Sequence, residues 1–306
     1  FNVKVGIMRL DFEIFDERMR ELLAPDSRLE QLATGATWSE GPVYLPDEDA
    51  VIWSDIPGNR LLRWSAREGL REFLKPAHFQ NGHTLGLEGC ILACSHGERA
   101  VLRLEKDGTW TTLISRYEGK RFNSPNDIVV KSDGTLWFTD PDYGLIQPEE
   151  GYGGEGEQAG CFVYRFDPTT NELNAVITDM RKPNGLAFSP GETLLYVSDT
   201  SASHDADGFH HVRVYDMIDG RRATNGKLFA DISPGLPDGF RLDVHGYLFI
   251  SSEDSVQIYT PEATCLGKLY VPEKVGNLTF GGPERNRLFI TASSSLYAVT
   301  LNTTDK

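Results

Sequence analysis

A six-fold internal repeat constrains this chain more than any other feature of its sequence. The copies align as EGPVYL from Glu40, NGHTLG from Asn81, NDIVVK from Asn126, NGLAFS from Asn184, DGFRLD from Asp238 and GNLTFG from Gly276. After a polar corner each copy continues into a second apolar run: AVIWSD, ILACSH, TLWFTD, LLYVSD, YLFISS and RLFITA. Third and fourth runs follow in most copies, as in CFVYRF and NAVIT. Short β-branched and aromatic runs bounded by Gly, Pro, Asp and Asn are strands. Successive copies lie 41, 45, 58, 54 and 38 residues apart, near the length of a propeller blade. Six units of four strands predict an all-β fold, a six-bladed β-propeller.

The ends of the chain support a closed ring. RLEQLATGATW, residues 28–38, supplies one strand before the first copy, and the last copy ends after its third strand, SLYAVTL. An open first blade would expose a sheet edge, so the N-terminal strand is expected to complete the sixth blade. Residues 11–26, DFEIFDERMRELLAPD, carry Phe12, Phe15, Met19, Leu22 and Leu23 at helical spacing and run into Pro25. They predict a short amphipathic helix packed outside the propeller. The expected organisation is an N-terminal extension over 1–27 and a single propeller domain over 28–306.

Charge narrows the partners. With 45 acidic against 30 basic residues the formal net charge is −15, which repels phosphate backbones and anionic lipid. Neither nucleic acid nor a membrane surface is expected as a partner. The four cysteines, Cys90, Cys94, Cys161 and Cys265, show no zinc spacing and are expected to be reduced structural thiols. A cytoplasmic protein is expected, with the periplasm as the alternative, in the form of a monomer or small homo-oligomer.

In a propeller the first strand of each blade lines the central channel, and its leading residue sits at one mouth. Those positions are Glu40, Asn81, Asn126, Asn184, Asp238 and Gly276, and five of the six carry a side-chain oxygen. Two carboxylates and three amides form an oxygen-rich set suited to a hard divalent cation. Ca²⁺ fits best, with Mg²⁺, Mn²⁺ or Zn²⁺ as alternatives. Glu40 and Asp238 would neutralise the ion, removing the cost of burying two carboxylates together. Against this stands a simpler reading, that Asn-Gly and Asp-Gly are turn residues chosen for their tolerance of positive φ. That reading accounts poorly for Glu40.

The segments LATGATWSEGPVY, RFNSPNDIVVKSDGTLWFTDPDYG, KPNGLAFSPGETLLYVSD and LPDGFRLDVHGYLFIS resemble the senescence-marker-protein-30/gluconolactonase/luciferin-regenerating-enzyme family. The likeness spans roughly residues 12–300 and is greatest to its bacterial gluconolactonases. It implies metal-dependent hydrolysis of a sugar lactone, an aldonolactone of the gluconolactone type. The implied metal ligands are Glu40, Asn184 and Asp238, with Asn126 binding either metal or substrate. Asp238, or metal-bound hydroxide, would activate the attacking water, while Asn81 and Asn126 orient the sugar. Animal members carry an Arg where this chain has Ser124, and Ser124 is expected in its place among the substrate-binding residues.

Residues 141–160 are expected to form a lid over the channel mouth, with Asp142 and Tyr143 at its root touching substrate. Within it GYGGEG satisfies a dinucleotide fingerprint, but no helix is expected to follow, so it is read as loop. His96 is read as structural. SHDADGFHH, residues 203–211, is read as a solvated loop rather than a second cation site. Asp55, Asp140 and Asp199 close their second strands as hydrogen-bond acceptors at blade corners. No G-x-S-x-G or H-E-x-x-H motif occurs. Two alternatives remain at this stage: a metal-dependent lactonase or phosphotriesterase acting on non-sugar substrates, and a non-catalytic binding scaffold.

Overall fold

A computed structural model describes residues 11–305, so the first ten residues of the expected extension lie outside the described residues. Six antiparallel sheets follow one another around a central channel. The first blade runs outward through Ser39–Leu45, Ala50–Asp55, Arg60–Ser65 and Gly69–Leu74, and the pattern repeats through the fifth. The sixth blade takes Val275–Gly281, Arg287–Ala292 and Ser295–Thr300 from the C-terminal end and its outer strand, Glu30–Thr34, from the N-terminal end. Pairing of Glu30 with Ala298 and Thr34 with Ser295 closes the ring, as the strand count predicts.

The core is divided by blade. Apolar clusters fill each interface between neighbours, such as Phe122, Phe138 and Tyr164 with Leu92 and Val101 between the second and third blades. Met19 and Leu22 join the cluster between the fifth and sixth. Full burial of each such side chain is worth about 1.5–3 kcal/mol.

The helix expected over 11–26 does not form. Phe12–Ile14 is instead a fifth strand on the outer edge of the fifth blade, pairing with Gly267–Leu269. A 3-10 helix, Glu17–Leu22, follows, with the Asp16 carboxylate accepting from Arg18 N at 3.0 Å as its cap. The apolar spacing served two elements at once. Phe15, assigned to the inner face of a helix, is 52% exposed, whereas Met19 is fully buried. An uncovered sheet edge gave the backbone of Phe12–Ile14 a better partner than its own helix.

The repeated Asn-Gly has a structural cause different from a turn. Gly82 N donates to Asn126 O at 2.8 Å, Gly185 N to Asp238 O at 2.9 Å and Gly239 N to Gly276 O at 2.8 Å. The second, fourth and fifth blades thus bond through their second residue to the leading carbonyl of the next, whereas in the first Gly41 N donates to Glu40 Oε2 and Asn81 O accepts from Ser54 Oγ. A Cβ would lie 1.8 Å from Asn81 O at Gly41, 2.5 Å from Asn126 O at Gly82 and 2.4 Å from Asp238 O at Gly185. Of these seam glycines only Gly41 has a positive φ, +57°. Close backbone approach, not a left-handed turn, requires glycine here. In the third and sixth blades the seam residue is Asp127 or Asn277, and these side chains enter the channel beneath the mouth, where Asn277 Nδ2 approaches Asp127 Oδ2 at 3.4 Å.

Gly185→Ala is therefore expected to cost about 1–3 kcal/mol by overpacking, lowering the thermal midpoint by several degrees. Gly191→Ala, where a Cβ meets nothing within 4 Å, is the matched control and should change it by about a degree at most. Differential scanning calorimetry of the two variants makes the comparison.

Candidate active site at the channel mouth

The blade corners fix the mouth before any functional group is considered. Asp55 accepts from Thr37 N and Trp38 N at 2.9 and 3.2 Å, Asp140 from Asn123 N at 2.8 Å and Asp199 from Arg181 N at 2.9 Å. Each carboxylate pins the loop that leads into its blade's innermost strand, as the sequence implied. Inside this frame Glu40, Asn81, Asn126, Asn184 and Asp238 line one cavity of about 190 Å³. Gly276 leads the sixth blade without a side chain, and Asn277 fills the gap from the seam, donating to Glu40 Oε2 at 3.1 Å.

The two carboxyls sit in an environment that resists their charge. Glu40 is buried; its Oε2 accepts from Gly41 N and Asn277 Nδ2, while Oε1 has no partner among the described residues. Burial, then Asp238 and then Asp127 raise the Glu40 pKa well above its ordinary value. Burial also raises that of Asp238. Two carboxyls whose charge is disfavoured, one with an oxygen unsatisfied, fit a bound cation, which would remove both penalties. Among the described residues no group of three or more His, Cys, Asp and Glu could hold a metal, so such an ion would depend on the amides as well.

Those amides are oriented from the wall. Asn184 Nδ2 donates to Thr200 Oγ1 at 3.1 Å. Asn81 Nδ2 lies 3.3 Å from His96 Nε2, and His96 Nδ1 lies 2.9 Å from the carbonyl of Glu150. A ring nitrogen facing a carbonyl must donate, so His96 Nε2 accepts and Asn81 turns its nitrogen to the wall. Its Oδ1 is then a buried acceptor without a partner among the described residues. Burial pushes the His96 pKa down to about 4, keeping the ring neutral. His96, read from sequence as structural, thus sets the orientation of a cavity residue. Asn126 is held through its backbone, N donating to Thr139 O at 2.9 Å.

Residues 141–160 do cover the mouth. A short helix, Tyr143–Ile146, turns down into the cavity, which Tyr143, Gln147 and Glu150 line from the lid side. Tyr143 Oη bonds Thr200 Oγ1 at 2.6 Å and Ser203 Oγ at 3.0 Å. Asp142 pairs with Lys182 outside the cavity lining, and Tyr152 Oη reaches His78 Nδ1 at 2.9 Å to fasten the lid's far side. GYGGEG, within this lid, opens no helix.

Ser124 differs from its expected place. It is fully buried, its Oγ donating to Pro141 O at 2.6 Å and accepting from Gly144 N at 2.9 Å. The hydroxyl is spent on the lid root, and Ser124 is absent from the cavity lining. In the 203–211 loop Asp205 pairs with Arg181 at 2.8 Å, which occupies that carboxylate. All four cysteines are free thiols. Sequence reasoning missed Gln147, Glu150, Thr200 and Lys274, which also line the cavity. The lid's EEGYGGEGE marks an acidic loop, but only the fold shows which carboxyl turns inward. A larger recess of 360 Å³ opens at the opposite end of the channel, around Arg241, and holds none of the leading residues.

Four likenesses to known proteins bear on this geometry. Residues 38–294 match the family described as SMP-30/Gluconolactonase/LRE-like region. A gluconolactonase of Zymomonas mobilis is 31% identical over 94% of this chain and 85% of its own length. A pentonolactonase of Haloferax volcanii is 26% identical over 85% of this chain and 83% of its own. The solved structure of a gluconolactonase from Xanthomonas campestris superposes with a TM-score of 0.88 at 36% identity, covering 95% of each chain.

Burial pushes Asp140 and Glu150 up to about 8 and raises Glu40, Asp127 and Asp238 as well. An acid whose folded pKa is raised binds more protons folded than unfolded, so stability falls as pH rises through that interval. With divalent ions chelated, the thermal midpoint should therefore fall between about pH 5 and pH 8. Glu40→Gln, which removes one raised group, should make the fall shallower, as a calorimetric pH series would show.

Proposed function

Because the chain belongs to the SMP-30/gluconolactonase/LRE-like family, we propose that it hydrolyses the ring ester of a sugar lactone to the corresponding aldonic acid, using one divalent cation at the channel mouth. Glu40, Asn184 and Asp238 would hold the ion, with Asn126 beside it. The observation that carries this reading is the unsatisfied, buried Oε1 of Glu40, in the cavity that Asp238 and the other leading residues line. All-oxygen donors favour Ca²⁺, then Mg²⁺ or Mn²⁺, over the more thiophilic Zn²⁺.

When bound, the cation supplies positive charge for the lactone carbonyl oxygen as that oxygen becomes negative. The protein's own groups do the rest. Asp238, partly exposed to the cavity, accepts the proton of the attacking water. Asn81 presents a fixed acceptor to a sugar hydroxyl, and Asn126 offers an amide to another. Thr200 and Ser203, bonded to Tyr143, continue this polar wall, and the lid limits access of bulk water. Amide and hydroxyl walls match a neutral polyhydroxy substrate. Phosphotriesters and non-sugar lactones would leave these groups unpaired, and a scaffold would have no use for them.

Acid release from glucono-δ-lactone, followed with a pH indicator, tests the proposal. Chelator-treated protein should regain activity above spontaneous hydrolysis on adding Ca²⁺, Mg²⁺ or Mn²⁺. Asp238→Ala should lose roughly a hundredfold or more in kcat. Activity unaffected by chelator, or retained in Asp238→Ala, would contradict it.

A further inference from the structure

Opening the lactone ring needs more than a base. When the tetrahedral centre collapses, the bond from the carbonyl carbon to the ring oxygen breaks and that oxygen leaves as an alkoxide, which must acquire a proton. The cavity is lined by three carboxyls, Glu40, Asp238 and Glu150, and one ammonium, Lys274. Under the lactonase reading, on which the role assigned below to Glu150 rests, Glu40 and Asp238 are committed at the ring of leading residues. Lys274 is half-buried at the rim, 3.7 Å from Glu253 and 5.7 Å from the Trp38 ring centre. Tyr143 Oη is already bonded to Thr200 and Ser203, and burial raises its pKa further. Glu150 remains, descending from the lid.

Its surroundings suit a group that changes protonation state. The Glu150 carbonyl is fixed by His96 Nδ1 at 2.9 Å, and its Oε2 lies 4.0 Å from the same ring. One end of the Gln147 amide lies 2.9 and 3.1 Å from the two carboxyl oxygens of Glu150, and the other lies 3.1 Å from His204 Nε2. An amide placed this way serves both states. With its oxygen toward Glu150 it accepts the acid's O–H and donates to an unprotonated His204 Nε2. Turned over, it donates to the carboxylate and accepts from a protonated Nε2. His204 can follow, because its Nδ1 faces the Ser203 hydroxyl at 2.8 Å, which is donor or acceptor as required.

We propose that Glu150 is the catalytic acid of the lid, donating its proton to the departing ring oxygen, with Gln147 and His204 as positioning residues that hold it in both protonation states. The balance is complete: water adds to the carbonyl carbon and gives its proton to the base. The ring C–O bond breaks, the alkoxide takes the Glu150 proton, and solvent reprotonates Glu150 and takes up the proton held by the base. The charged and titratable groups around it are His96, His204 through Gln147, Asp238, Glu149 and Lys274 at the rim. Burial is the largest cause that pushes its pKa up to about 8, followed by Asp238 and Glu149.

The test is the pH dependence of kcat and KM on glucono-δ-lactone, with spontaneous hydrolysis subtracted, for metal-loaded wild type, Glu150→Gln and Glu150→Asp. In wild type kcat should decline on the alkaline side as Glu150 loses its proton. Glu150→Gln, near-isosteric and expected to keep the thermal midpoint, should lose roughly a hundredfold in kcat with KM within about threefold, and should lose the alkaline decline. Glu150→Asp should recover part of kcat together with the decline. A rise in KM at unchanged kcat, or an alkaline decline that persists in Glu150→Gln, would overturn the acid role and leave a lid contact. Wild type inactive on the lactone would instead overturn the lactonase reading and this proposal with it.

Discussion

The bond from a seam glycine to the leading carbonyl of the next blade is the contact on which the rest of the structure depends. It holds neighbouring inner strands at a spacing that leaves no room for a Cβ between them, as Gly82 and Gly185 show. That closeness brings the residue before each glycine to a common axis. The same dipeptide therefore does two jobs: its second residue welds the ring and its first furnishes the site. Where glycine is absent, Asp127 and Asn277 turn their side chains into the channel and form its floor, with Arg241 Nη1 3.7 Å from Asp127 Oδ2. The floor separates the mouth, with its leading residues, from the recess at the other end.

A second constraint is electrostatic. Glu40, Asp127 and Asp238 are brought together by topology, not by mutual attraction, and each is raised toward its neutral form. Such an arrangement opposes folding unless a cation or a proton is shared. It persists where the ring over-determines it, and unspent strain of this kind marks functional sites. The lid adds a third kind of carboxyl, Glu150, whose backbone carbonyl His96 fixes and whose side chain faces the Gln147 amide of its own loop rather than the ring.

Much of this was legible in the sequence, and the reason is periodicity. Six copies of a strand pattern with one strand displaced to the N-terminus determine the blade number and the closure, and aligning the copies identifies Glu40, Asn81, Asn126, Asn184 and Asp238 together. The corner acceptors Asp55, Asp140 and Asp199 followed from the same alignment. What escaped was non-repetitive. Phe12–Ile14 answers to an exposed edge on the fifth blade, a long-range partner that local spacing does not encode. Ser124 lies beside Asn126 in sequence yet serves the lid root. The role of the glycines was not legible, because a turn and a close backbone approach require the same residue for different reasons. Gln147 and Glu150 belong to a loop whose composition says acidic and no more.

The account's central claim is that leading residues from separate blades share one cation. Isothermal titration of Ca²⁺ into chelator-treated protein, for wild type and Glu40→Gln, tests it most directly. The account predicts one ion per chain for wild type, and affinity reduced at least tenfold in Glu40→Gln. No binding to wild type, or binding unchanged in the variant, would contradict it and place the buried carboxyls outside any metal site.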